Sequence, residues 1–190
     1  MIAYLREART ATLGVFLMIA FRKDWRKHFD VSPGGVARSF MGLILALPAF
    51  IFTVYAIGYF VAQNPSLVGP DSGLDTGEAA LTWARYWLLF PIVAALTTLA
   101  AGLTHKFAAW VVVQNWTVFV LVHIQALIFA LYPAGLADPA ALGLLSQIYI
   151  LARMLAFWRV AAAALEASPL FAAALAGIPF LADWTLRAMT

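Results

Sequence analysis

Five apolar stretches follow one another in this chain with short breaks between them, and that succession leaves few folds open. They are residues 40–62, about 84–103, 107–132, 140–165 and 170–186. About 20 apolar residues cross the ~30 Å hydrocarbon layer of a bilayer. Water is absent there, so a lone segment satisfies its own backbone groups only as a helix. The expected fold is therefore all-α, a polytopic transmembrane bundle of about five spans. The last stretch is the shortest and carries Asp183. Pro48, Pro91 and Pro179 fall inside spans one, two and five, where membrane helices tolerate proline and kink at it.

Composition agrees. The chain is 64% hydrophobic and 11% charged, with a mean hydropathy of +0.89. A soluble domain has about 45–50% apolar and roughly 25% charged residues. Nine acidic and twelve basic residues cannot cover a water-facing surface of 190 residues. An ordinary soluble enzyme, a disordered tail and a nucleic-acid-binding module are excluded on this ground. With no cysteine, disulfides and thiolate-ligated metals are excluded as well. His28, His105 and His123 are too scattered for bis-histidine haem. No HExxH, P-loop, GxSxG or GxGxxG motif occurs. The expectation is a chain with no cofactor, no metal and no enzymatic activity.

The scarce charges set the orientation. Arg6, Arg9, Arg22, Lys23, Arg26, Lys27 and Arg38 place seven of the twelve basic residues before the first long apolar run. The 63–80 loop holds Asp71, Asp75 and Glu78 without a Lys or Arg, the 133–139 turn has no basic residue, and Thr104-His105-Lys106 is basic. By the positive-inside rule the N-terminus is cytoplasmic and the 63–80 and 133–139 loops are exterior. Five spans then put the C-terminus in the periplasm of a bacterial inner membrane, against which Arg187 is a small dissent.

Residues 1–35 form a basic section ahead of a transmembrane domain at 36–190. The apolar run 12–21 meets Arg22, Lys23, Asp24, Trp25, Arg26 and Lys27 at once, where a cleavable signal requires small residues. The chain is therefore expected to begin at or near Met1. Within 2–21, Ile2, Leu5, Leu13, Phe16, Leu17 and Phe21 share one side of a helix. Two arrangements fit: an amphipathic helix in the interface with Arg6, Arg9, Arg22, Lys23, Arg26 and Lys27 at lipid headgroups, or a helix packed on the cytoplasmic end of the bundle. Ser32-Pro33-Gly34-Gly35 then breaks the chain before span one.

Ionisable and amide side chains inside the spans are the candidate site: Arg85, Gln114, Asn115, His123, Gln147, Arg153 and Asp183, with Gln125 as further polar company. An ionisable group at mid-membrane costs about 2.5–3.5 kcal/mol on insertion scales and marks function by default. A rise of ~1.5 Å per residue puts Arg153 level with Gln114 and Asn115, and Arg85, His123, Gln147 and Asp183 close together nearer the exterior. Arg85 with Asp183 is the expected ion pair. The plain alternative is that these groups hold helices together by hydrogen bonds. Trp25, Trp83, Tyr86, Tyr132 and Trp184 lie near span ends as interfacial anchors. Ala161 to Ala164, Ala172 to Ala174, Ala176 and Gly177 allow close helix approach.

A basic N-terminal section, five closely spaced spans and short hairpins resemble the Yip1-type membrane domain. Phe29-Asp30-Val31-Ser32-Pro33-Gly34-Gly35, then Arg38-Ser39-Phe40 and Leu47-Pro48, are similar to small polytopic membrane proteins of alphaproteobacteria. The resemblance covers roughly 25–185. The Asp-Leu-Tyr-Gly-Pro motif of eukaryotic Yip1-type proteins is missing, so the resemblance implies fold and membrane location and carries no catalytic or trafficking residue. The expected role is that of a non-catalytic accessory, scaffold or assembly subunit. Its partners would be the lipid bilayer and other membrane subunits or further copies of this chain, with no nucleic acid. A small transporter or channel component using Arg85, His123 and Asp183 is the alternative.

Overall fold

Three helices begin on the same local chemistry, a short polar side chain followed by proline. Ser32 Oγ accepts the Gly35 N–H at 3.1 Å ahead of Pro33, and Asp138 Oδ1 accepts the Ala141 N–H at 2.7 Å ahead of Pro139. Ser168 and Pro169 repeat the pattern, with the Phe171 N–H 3.4 Å from the Ser168 hydroxyl. The side-chain oxygen satisfies an orphaned first-turn N–H, and proline supplies a helical φ where no donor is needed. A computed structural model, which describes residues 2–67 and 76–188, contains six α-helices among the described residues. They are α1 (Ile2–Ile19), α2 (Pro33–Gln63), α3 (Thr76–Ala100), α4 (Phe107–Ala130), α5 (Pro139–Leu165) and α6 (Pro169–Ala188). Short 3-10 turns at Lys23–His28 and Thr104–Lys106 precede α2 and α4. Among the described residues there is no strand.

Four of these helices are long and apolar enough to cross a membrane: Pro33–Gln63, Gly77–Ala100, Thr104–Ala130 and Pro139–Leu165. They coincide with the first four expected spans. In α6 the apolar stretch, Pro169–Ile178, is shorter. Pro48 and Pro91 lie inside α2 and α3, which continue through them.

The bundle is organised around α4, whose residues from Trp110 to Val118 are all buried. A helix apolar on every side must be covered on every side. Leu43 and Ala46 of α2 meet Val118, Leu121 and Val122, and Tyr149, Ala156 and Phe157 of α5 join the same cluster. Phe90 of α3 stands edge-on to Trp110 at 5.4 Å between ring centroids. Ala172 and Leu175 of α6 complete the core around Trp110. Outside, Ile51, Leu88, Leu96, Leu127, Leu144 and Leu155 are more than half exposed. Water penalises such a surface and hydrocarbon does not.

Helix α1 packs against the side of α4. Its small residues Ala8 and Ala11, with Val15, pack against Val112, Trp116 and Val120 of α4. Leu5, Leu13 and Phe16 face outward, about half exposed. The buried face is small at Ala8 and Ala11, in the cluster of Trp116, and larger at Val15 and at Met18, which is fully buried in the cluster of Trp110.

Four described residues have positive φ: Phe21 at 57°, Gly102 at 67° and Glu166 at 54°, each just past a helix end, and Gly135 at 70° in the α4–α5 connection. After α1 the Arg22 N–H reaches the Leu17 carbonyl at 2.9 Å and the Phe21 N–H reaches that of Met18 at 3.1 Å. After α3 the Leu103 and Gly102 N–H groups repeat this pair of bonds on Thr98 and Leu99. Glycine takes the left-handed position freely, whereas a residue with a side chain loses about 1–2 kcal/mol. Phe21 and Glu166 are thus positions where the side chain has a compensating contact.

Gly42 of α2 lies against Trp116, where a Cβ would stand 3.1 Å from the ring, while Gly143 of α5 has nothing within 4 Å. Gly42→Leu is expected to destabilise the fold by the roughly 1–3 kcal/mol of overpacking. Gly143→Leu should leave stability unchanged or slightly higher, as removal of a helical glycine does. Thermal unfolding in detergent, followed by tryptophan fluorescence, compares the two.

Candidate functional site

The polar residues of α4 are the most enclosed of the candidates. Asn115 is 2% exposed, and its Nδ2 donates to Ser39 Oγ of α2 at 2.9 Å. The Ser39 hydroxyl donates in turn to the Val36 carbonyl at 2.7 Å. This chain of bonds ties α2 to α4 in a place without water. Gln114 is 7% exposed, and among the described residues its amide has no hydrogen bond. His123, half-buried, lies with Nδ1 2.8 Å from the Phe119 carbonyl one turn earlier, its ring 4.4 Å from that of Phe119. The tautomer protonated at Nδ1 donates this bond. Near it, the Tyr149 hydroxyl of α5 donates to the Leu121 carbonyl at 3.1 Å, with Gln125 Oε1 at 3.4 Å.

The remaining candidates are spread over the outer helices. Arg153 is half-buried with its guanidinium 5.4 Å from the Phe157 ring centroid, and Gln147 is exposed on α5. Arg85 is half-buried on α3. The side chain of Asp183 lies outside the described residues, and with it the expected Arg85–Asp183 pair. Helices α3 and α6, which carry these two residues, do pack against each other.

An electrostatic node lies at the basic end of the bundle, on a residue not singled out from sequence. Glu166, in the α5–α6 turn, accepts Arg26 Nη2 on Oε1 at 2.5 Å and Lys106 Nζ on Oε2 at 2.7 Å. One carboxylate thereby joins the Lys23–His28 turn, the α3–α4 connection and the end of α5. The hydrogen bonds from Lys106 and then Arg26 hold its carboxyl below the ordinary glutamate range. Those contacts explain why a non-glycine residue occupies a left-handed position there. A second node lies at the start of α2. Arg38 pairs with Glu7 of α1 at 3.1 Å and with Asp30, whose Oδ1 accepts the Ser32 N–H at 2.9 Å. That backbone bond is the main cause of the lowered Asp30 value. Lys27 pairs with Asp24 at 3.2 Å, and this hydrogen bond lowers the Asp24 carboxyl.

Arg159, near the basic end of α5, is a further intramembrane cation that the sequence reading passed over. Its Nε donates to the Met18 carbonyl at 3.0 Å, and its guanidinium lies 4.3 Å over the ring of Phe21. The stacked cation accounts for an aromatic residue at the left-handed end of α1. Its signal was its place, one and a half turns past Arg153 and close to the end of an apolar run.

Among the described residues no group of three His, Asp or Glu side chains is placed to hold a metal ion. Comparison with family models, curated proteins and solved structures finds no match for this chain. The Yip1-type resemblance therefore rests on the basic N-terminal section, the spacing of the spans and the short hairpins alone.

The Glu166 node makes a pH prediction with a definite sign. A carboxyl depressed in the folded state contributes stability that is complete above its ordinary value and fades as pH falls through the folded value. Hydrogen-exchange protection in the 23–28 segment, measured relative to the intrinsic rate at each pH, is expected to be high at neutral pH and to fall on acidification below the ordinary glutamate range. Glu166→Gln should show the low protection already at neutral pH and lose that part of the pH dependence.

Proposed function

We propose that this chain is a non-catalytic integral protein of the bacterial inner membrane, serving as an accessory, scaffold or assembly subunit of a membrane complex. In this reading α6 is the fifth span, the N-terminus is cytoplasmic and the C-terminus periplasmic. The basic residues before position 39 and the acidic 63–80 loop support the orientation. The observation that carries the subunit role is an open apolar groove of about 420 Å³ between α3 and α6. It is lined by Leu96, Thr97, Ala100, Ala101, Phe171, Leu175 and Ile178. Ala100 and Ala101 lower one wall enough for a partner helix to approach closely, the condition for helix association where hydrophobicity gives no drive. Leu96 is 62% and Phe171 44% exposed, so a partner would find contact area on both rims.

A transporter or channel component is the second reading. It is favoured by Gln114, whose buried amide has unspent hydrogen-bonding capacity among the described residues. In that case Arg85, His123 and Asp183 would line the path.

Two experiments separate these. Extraction from native membranes in mild detergent should recover the chain with a partner, and Ala100→Trp with Ala101→Trp should abolish co-purification while helix content stays constant. Recovery of the wild type as a lone monomer overturns the subunit reading. In proteoliposomes, the transporter reading expects flux that falls on Asp183→Asn, and flux indifferent to substitution of both Asp183 and Arg85 removes it.

A further inference from the structure

The basic residues of the N-terminal section fall into two sets. Arg26, Lys27 and Arg38 are each tied to a carboxylate. Arg6, Arg9, Arg22 and Lys23 are exposed and make no ion pair among the described residues. The second set flanks α1, with two cations in its first half and two just beyond its end. An 18-residue helix is about 27 Å long, so the four charges are distributed along a strip rather than gathered at a point.

Large apolar side chains stand exposed on the same helix and at its end. Helical spacing brings Leu5, Arg9, Leu13 and Phe16 to one side of α1, turned away from the Ala8, Ala11 and Val15 face that packs on α4. Leu5, Leu13 and Phe16 are 53%, 51% and 52% exposed, and Phe21 is 65% exposed. Phe21 is also held in place. The two backbone bonds closing α1 fix its left-handed conformation, and the Arg159 guanidinium covers one face of its ring.

This combination restricts what can cover the strip. Water accepts the cations but not four large apolar side chains in a row. An apolar protein surface accepts the side chains but leaves four cations desolvated and unpaired. An anionic leaflet provides both layers in one plane, with phosphates for the guanidinium and ammonium groups and an acyl boundary directly beneath them. We propose that the outer face of α1, with the Phe21 turn, is a docking surface for a leaflet of anionic phospholipid. Arg6, Arg9, Arg22 and Lys23 contact the phosphates, and Leu5, Leu13, Phe16 and Phe21 enter the acyl boundary. Arg26 and Lys27 are excluded from this role by their carboxylate partners. The inference rests on the membrane reading above and is independent of any partner subunit.

The purified full-length protein in nanodiscs of phosphatidylcholine, with and without phosphatidylglycerol, tests the proposal. The readouts are the thermal midpoint and the lipids retained in native mass spectrometry. The wild type is expected to be stabilised by phosphatidylglycerol and to retain it, an effect that weakens with salt as the Debye length shortens. Replacing Arg6, Arg9, Arg22 and Lys23 by Gln should reduce the preference by about fivefold per cation removed, with the midpoint in neutral nanodiscs unchanged. The double variant Arg22→Gln, Lys23→Gln alters only exposed residues beyond α1 and should show about half of that loss on a logarithmic scale. Lys27→Gln should keep the wild-type preference. Three results would overturn the proposal: a wild type indifferent to phosphatidylglycerol, undiminished preference in the quadruple and double variants, or equal stabilisation in neutral discs by inorganic phosphate. A missing partner in native extracts would strike the subunit reading and leave these lipid measurements intact.

Discussion

The central helix α4 has no side that faces outward over Trp110–Val118, and most of the architecture follows from covering it. In hydrocarbon, apolar character alone does not bring helices together, since lipid tails are as apolar as leucine. Close packing and specific hydrogen bonds must do so. Trp116 lies against Gly42 on one side and within the cluster of Ala8, Ala11 and Val15 on another, while Trp110 meets Phe90 and the alanines late in α5. The Asn115–Ser39 bond adds direction to the α2 contact. At the two hub tryptophans the surrounding helices supply small residues, Gly42, Ala8 and Ala11 at Trp116 and the late alanines of α5 at Trp110, which lets these helices come close to α4.

At the basic end the stabilising logic is electrostatic and conformational together. Glu166 and Phe21 both occupy left-handed positions that glycine fills after α3 and in the α4–α5 connection. Each makes a long-range contact there: Glu166 with Arg26 and Lys106, Phe21 with Arg159. Exposed ion pairs are individually weak. The importance of the Glu166 node lies in what it connects, because two cations from separate turns share a single carboxylate. The same pairing divides the basic residues. Arg26, Lys27, Arg38 and Lys106 are joined to carboxylates, whereas Arg6, Arg9, Arg22 and Lys23 make no ion pair among the described residues.

The four long helices were legible in the sequence because a bilayer imposes a length and a polarity that few other environments require. The Ser32-Pro33-Gly34-Gly35 stretch, expected as a break before the first span, is instead the start of α2, because Ser32 caps the helix and Pro33 fits its first position. Much of the site was not legible. Ser39 falls one residue before the expected first span, so its bond to Asn115 could not be anticipated from depth. Glu166 lies one residue past the fourth span and looks like an ordinary loop acid. The sequence left open whether the large apolar residues of α1 meet lipid or the bundle; the face that packs on the bundle holds Ala8, Ala11, Val15 and Met18, a choice that depends on the shape of α4.

By itself, then, the sequence determined that the chain is helical, that it suits a bilayer and where its four longest helices lie. Those properties depend on runs of like residues and on local capping chemistry, which act over a few turns. The tertiary structure decided which helix is central, which cations are spent on carboxylates and which side of α1 faces outward. Each of these turns on a contact between residues far apart in the chain, such as Arg26 with Glu166 or Arg159 with Phe21. Spacing along the sequence carries no record of such contacts.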